Sequence, residues 1–153
     1  MPVNLAELLA SKRLERRRRT SATEIENLRK LVERDLTDAA LPGLSADCTF
    51  ATAYNAALQL SKIVLACAGY RVSSTLPGQH QTTFEAAGLV LGPAGRPFTD
   101  YLETCRRQRN VIDYDYAEVA SDSEAGFLQE KLAEHRQLVE SWIAKNYPKL
   151  KQP

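Results

Sequence analysis

Apolar residues recur along most of the chain at the three- and four-residue spacing of amphipathic helices. Ile25, Leu28 and Val32 are a clear example, and Ser21 with Glu24 three residues later matches a capping box before them. No segment has the sustained alternation of a strand. The pattern therefore predicts an all-α protein. The predicted helices cover residues 4–19, from Ser21 to a stop at 41–43, 46–68, about 79–91, 97 to about 114, and 121–146, with a polar loop over 70–78.

The third predicted helix, residues 46–68, is apolar around most of its circumference, and only Asn55, Gln59 and Lys62 form a narrow polar edge. We therefore expect it at the centre of an antiparallel helical bundle of about five to six helices. Its apolar positions form two stripes, one of Phe50, Ala53, Tyr54, Ala57, Val64, Leu65 and Ala68 and one of Ala56, Leu60, Ile63 and Cys67.

Capping residues mark several helix ends. Ser45 is placed to cap the third helix and Gly69 to end it. Ser121 and Glu124 repeat the capping-box pattern before the last helix. The basic run Arg16–Arg19 ends the first predicted helix, where cations suit the helix dipole; the alternative is that this run contacts phosphates.

Length and composition fit one soluble globular domain. The chain has 153 residues, of which 44% are hydrophobic and 25% charged, and its net charge is +1. We predict a single domain over residues 1–153, with a core of about 20–146 and a basic N-terminal helix over 1–19. Net charge this small excludes a whole-molecule field that attracts nucleic acid, so any such contact is local. No apolar stretch is long enough to predict a membrane span.

Cysteine and histidine usage predicts neither a metal site nor a cofactor. Cys48, Cys67 and Cys105 are odd in number and widely spaced, which argues against a disulfide framework or a zinc site. We therefore expect a reduced, cytoplasmic protein. His135 lies at helical spacing with apolar residues, which favours a satisfied histidine at the edge of the core. His80 is interpreted either as a loop histidine without a special role or as a residue at the rim of a cleft.

That cleft is suggested by Arg109, which interrupts the apolar face of the fifth predicted helix. At about 100° per residue, Arg109 lies about 20° from the centre of that face. Because an isolated buried charge costs several kcal/mol or more, the guanidinium must be paired or line a cleft. One interpretation is an intrahelical Arg109–Asp113 pair. The other is a polar strip at the core edge, formed by Arg106, Arg109, Asn110, Asp113 and Tyr116.

The segment Arg109-Asn110-Val111-Ile112-Asp113-Tyr114-Asp115-Tyr116 resembles the signature of HEPN domains. That signature is Arg, a polar residue, a short spacer and His, with a Tyr two residues later in one subgroup. Arg109, Asn110 and Tyr116 match its first, second and last positions. The upstream segments 53–60 and 68–71 are similar to the family's central helix and its exit, and His80 lies where many members place a His. The resemblance implies an α-helical fold, a homodimer and, frequently, a minimal nucleotidyltransferase partner in a toxin–antitoxin pair.

The chain departs from the signature at one position, since Tyr114 stands where the family has His. In the family's ribonucleases, Arg and His pairs of two protomers cleave RNA without metal and leave a 2′,3′-cyclic phosphate. Arg109 can supply the cation and contact a phosphate bidentately. Tyr114, with an ordinary pKa near 10, is a poor base at neutral pH.

Two hypotheses follow from this resemblance. The first is a non-catalytic or weakly catalytic HEPN-like module that dimerises and binds RNA, a nucleotide or a nucleotidyltransferase. In that hypothesis Tyr116 is the candidate for modification with adenylate. The alternative is a metal-independent endoribonuclease toxin, with Arg109 and Asn110 on the scissile phosphate and Tyr114 or His80 transferring protons. Arg106, Asp113, Tyr116 and His80 are the additional binding candidates.

Overall fold

The computed structural model describes residues 3–114 and 117–153, except for the side chains of Asp113 and Tyr114. Within these residues the chain forms a bundle of six α-helices and a two-stranded ribbon, which confirms the predicted all-α class. None of these helices is long and apolar enough to cross a membrane. The elements are α1 (Leu5–Ala10), β1 (Leu14–Arg16), α2 (Ala22–Ala39), α3 (Ala46–Ala68), β2 (Tyr70–Val72), α4 (Gln79–Leu91), α5 (Arg96–Tyr114), α6 (Asp122–Asn146) and a 3₁₀ turn (Pro148–Leu150).

Helix α3 is the centre of the bundle, as predicted, and packs against α2, α4, α5 and α6. The Ser45 side chain accepts a hydrogen bond from the backbone N–H of Cys48, which caps the helix start. Gly69 ends α3 with a φ of 87°, in the left-handed region that glycine adopts without a steric penalty. Both predicted helix ends are confirmed.

The predicted N-terminal helix over residues 4–19 is wrong beyond Ala10. Helix α1 ends there, and Lys12 adopts a φ of 62°, which turns the chain out of the helical path. Residues Leu14–Arg16 then form β1, which pairs antiparallel with β2 in the register Leu14↔Val72 and Arg16↔Tyr70. The predicted absence of strands is therefore wrong as well, and β2 occupies the start of the predicted polar loop.

The basic run does not end a helix, so the expected interaction with a helix dipole is also wrong. Arg17 forms a bidentate ion pair with Glu24, with both N–O distances at 2.6 Å. The Glu24 carboxylate also accepts a hydrogen bond from Thr20. The Arg16 guanidinium lies 5.7 Å from the centre of the Tyr70 ring. Two members of the run are therefore engaged within the chain.

Helices α4 and α5 pack closely at Gly88. A Cβ built on Gly88 would clash with the Thr99 hydroxyl, so this crossing requires a residue without a side chain. The short turn at residues 92–95 joins the two helices. Their packing places the start of α4 beside the last turns of α5, where the sequence placed its candidate site.

Candidate functional site

The candidate site is built around Tyr54, a fully buried residue of α3. Its hydroxyl lies 3.0 Å from Nδ1 of His80, in the first turn of α4. The edge of Phe84 packs against the Tyr54 ring, with the centroids 5.6 Å apart. A buried phenol needs a hydrogen-bond partner, and His80 supplies it. The pair therefore fixes the position of the imidazole at the surface of the bundle.

Arg109 reaches the same tyrosine from α5. The centre of its half-buried guanidinium lies 5.5 Å from the centre of the Tyr54 ring, within the range of a cation–π interaction. This agrees with the prediction that Arg109 lies on the core-facing side of its helix. The aromatic ring gives the cation a favourable environment at the edge of the core. Arg109 and His80 therefore both contact Tyr54.

Arg106 lies one turn earlier on α5 and is held by Glu103. Three N–O distances between their side chains lie between 2.6 and 3.1 Å. This hydrogen bonding raises the pKa of Arg106, so the group is cationic at every physiological pH. The ion pair orients the guanidinium without burying it, since both side chains are about one quarter exposed.

Three of the sequence-predicted residues line one surface hollow of about 330 Å³ between the start of α4 and α5. We call it the α4–α5 hollow, and it contains His80, Arg106 and Asn110. The loop before α4 forms the rest of its wall. The full set of lining residues is Leu76, Pro77, Gly78, Gln79, His80, Gln81, Arg106 and Asn110.

His80 is held in its neutral form by its surroundings. Burial lowers its pKa below the ordinary value, and the charges of Arg109, Lys62 and Arg106 lower it further. Burial raises the pKa of Tyr54, so the phenol keeps its proton. A neutral imidazole can accept a proton or share a hydrogen bond, while the arginines supply positive charge. The arrangement is therefore suited to an anionic group that requires proton transfer or hydrogen bonding.

Not every predicted residue can be placed. Tyr116 lies outside the described residues, and so do the side chains of Asp113 and Tyr114. Their predicted binding, catalytic and modification roles stay predictions. The Arg109–Asp113 pair also stays a prediction. The described residues contain no group of three or more His, Cys, Asp and Glu side chains that could hold a metal ion.

His135 is the other histidine and lies away from this site. It is buried in α6 and stacks on Phe98, with the ring centroids 4.3 Å apart. The sequence prediction of a satisfied histidine is wrong, because its Nε2 atom is buried with no hydrogen-bond partner among the described residues. Burial lowers the pKa of His135 to about 4, so the ring is uncharged in the native protein.

Sequence reasoning missed two residues that shape the site, Tyr54 and Glu103. Tyr54 was assigned to an apolar stripe and to the segment 53–60 but to no site, although a hydroxyl in such a stripe signals a polar partner nearby. The spacing of Glu103 and Arg106 on one helix face was the available signal for their pair. No protein-family model, characterised protein or solved structure matches the chain significantly.

Proposed function

We propose that the chain is a HEPN-like helical module that binds a phosphate group of RNA or a nucleotide in the α4–α5 hollow. The observation that carries the proposal is the convergence of His80, Arg106 and Asn110 on that hollow. Arg109, whose guanidinium lies 5.5 Å from the centre of the Tyr54 ring, adds positive charge that acts on His80. The proposal rests on the chemistry of these side chains together with the resemblance of residues 109–116 to the HEPN signature.

The side chains in the hollow match a phosphate group better than a neutral ligand. Arginine offers planar, paired donors to phosphate oxygens, and the Asn110 amide adds further donors. His80 adds no negative charge, and Glu103 is engaged by Arg106. The hollow therefore presents donors and positive charge to a ligand, which is the requirement for holding a phosphate.

The proposed module acts as a homodimer, with a minimal nucleotidyltransferase as its partner in a toxin–antitoxin pair. Both parts follow from the resemblance alone. Sedimentation of the purified chain tests the dimer, and a monomer over the whole concentration range contradicts it. A mass spectrum of the chain co-expressed with such a partner tests adenylate addition at Tyr116, and an unchanged mass contradicts that modification.

Substitution of Arg106 tests the binding site. We expect Arg106→Ala to weaken binding of a labelled single-stranded RNA by about tenfold at low salt, because one phosphate-contacting cation is lost. Arg107→Ala is the matched control, because Arg107 is the next residue and its side chain is 76% exposed. Fluorescence anisotropy measures both affinities. Equal affinities of the two variants would show that the hollow is not the binding site.

The second candidate function is metal-independent RNA cleavage, and the neutral, tyrosine-bonded His80 favours it. This reaction requires the His80 tautomer that donates its Nδ1–H to the Tyr54 oxygen, so that Nε2 takes the proton of a ribose 2′-hydroxyl while the 2′-oxygen attacks the phosphorus. The 5′-oxygen leaves with a proton, which gives a 2′,3′-cyclic phosphate. Arg106 and Arg109 stabilise the charge that develops on the phosphate. Tyr114 stays the predicted second proton-transfer group.

An RNA-cleavage assay in EDTA distinguishes the two functions. If the chain is a ribonuclease, His80→Ala and Arg109→Ala should each lose at least about a hundredfold in rate, the scale of one general base or one charge-stabilising group. Arg107→Ala should retain the rate. An inactive natural chain with an active Tyr114→His variant would instead identify a binding module that lacks one proton-transfer group.

A further inference from the structure

We propose that a second hollow, between α3 and β2, binds one nucleotide of an RNA whose neighbouring phosphate lies in the α4–α5 hollow. This inference rests on the proposed function for the position of that phosphate. The α3–β2 hollow has a volume of about 300 Å³, at the lower end of the range for small-ligand sites. Its principal lining residues are Leu28, Lys62, Leu65, Tyr70, Arg71 and Thr83.

The lining of the α3–β2 hollow combines an apolar floor with a positively charged rim. Leu28 and the aromatic Tyr70, both partly exposed, provide surface on which a base can lie. Lys62 and Arg71 supply cations on exposed positions of the rim. An apolar surface beside positive charge matches a nucleotide, which has an apolar base face and an anionic phosphate.

The charges in this hollow leave a net attraction for anions. Arg17 neutralises Glu24, the carboxylate in the lining, through their bidentate pair. Arg71 is paired with Glu15, but that pair is exposed and therefore weak. Lys62 forms no ion pair with any of the described residues. Lys62 is thus the cation best placed to meet a ligand phosphate.

The two hollows are adjacent, so one continuous ligand can occupy both. Gln79 and His80 line both of them, so the start of α4 forms their common rim. Lys62 on one side and Arg106 and Arg109 on the other all act on the His80 ring. A strand that passes over this rim meets cations on both sides of the imidazole. The α3–β2 hollow would therefore hold the residue next to the bound phosphate.

Charge reversal at Lys62 tests this site. We expect Lys62→Glu to weaken binding of a labelled single-stranded RNA by about tenfold and to reduce its salt dependence by the contribution of one phosphate contact. Lys30→Glu is the matched control, because Lys30 is also an exposed lysine in the interior of a helix. Ser74→Trp fills the hollow from an exposed position without changing charge, and it should also weaken binding. Ser123→Trp adds the same indole at an exposed position on α6.

A titration with AMP, followed by NMR shifts of the protein, separates this inference from the proposed function. RNA binding that falls in Arg106→Ala but not in Lys62→Glu or Ser74→Trp would overturn the nucleotide site and keep the phosphate hollow. If binding of RNA and AMP is lost in Lys62→Glu and Ser74→Trp but unchanged in Arg106→Ala, the nucleotide site stands and the proposed phosphate site in the α4–α5 hollow fails. Binding of neither ligand overturns both.

Discussion

At the residue scale, the proposed chemistry depends on one neutral imidazole among three cations. Burial lowers the pKa of His80, and the positive charges of Arg109, Lys62 and Arg106 lower it further, because a protonated ring would add a fourth positive charge. The Tyr54 hydroxyl lies 3.0 Å from Nδ1 of His80, and burial raises the pKa of this phenol, so it stays uncharged beside the ring. The cations therefore have a second effect besides attracting an anion, since they keep the neighbouring imidazole uncharged.

Removing one of these cations should raise the pKa of His80. Arg106→Gln takes away a positive charge and also releases the Glu103 carboxylate, and both changes favour the imidazolium. Arg107→Gln is the control, because Arg107 is not among the charges that shift His80. NMR titration of the two histidine rings measures this directly, and His135 is distinguished by its pKa of about 4. An unchanged or lowered His80 pKa in Arg106→Gln would contradict this account of the site.

The sequence indicated part of the candidate site because helical spacing is a local property. Arg109 on an apolar face was visible within one helix, and Arg106 and Asn110 followed from the same spacing. The partnership of Tyr54 with His80 spans 26 positions between two helices, so no local pattern indicates it. Tyr54, which contacts both His80 and Arg109, could therefore not be assigned to the candidate site from helical spacing.

At the element scale, the helices were predictable and the ribbon was not. Helices α3 to α6 span several turns, so the apolar period of each can be recognised, and α3 and α6 also carry side-chain caps. Each strand has only three residues, which is too short for an alternating pattern to be recognised. The strands pair across a separation of 56 positions, and the left-handed turn at Lys12 allows β1 to reach β2. The strand pairing therefore depends on tertiary structure and leaves no local pattern in the sequence.

The packing of α4 on α5 predicts opposite effects for the same substitution at two glycines. Gly88→Ala should lower the free energy of unfolding by about 1–3 kcal/mol, because the new methyl group overpacks against Thr99. Gly126→Ala should raise it by about 0.5–1 kcal/mol, because this exposed helical position has no atom near an added Cβ. Urea unfolding of both variants measures the difference. A neutral Gly88→Ala would show that the two helices can separate without loss.

At the scale of the whole molecule, the net charge is close to zero, but the charges are unevenly distributed. The net charge is +1, yet three cations, Arg109, Lys62 and Arg106, act on the His80 ring at the start of α4. Elsewhere, arginines are used to join elements: Arg29, for example, binds Glu140 of α6 and the carbonyl oxygen of Leu150. Composition alone therefore predicts only that nucleic-acid binding must be local, and the fold decides where cations come close together.

Acid should destabilise the whole fold through His135, a buried residue remote from the proposed site. Its pKa is about 4 in the native protein against an ordinary 6.5, so the unfolded chain binds a proton at a higher pH than the native one. Stability is therefore complete above pH 6.5 and declines as the pH falls toward 4, by up to about 3 kcal/mol.

Measured by urea unfolding at a series of pH values, His135→Leu should lose much less stability than the natural chain over this interval. His80→Ala controls for the other histidine, whose lowered pKa acts in the same direction. Identical pH dependence in the natural chain and in His135→Leu would mean that the buried ring does not control acid unfolding.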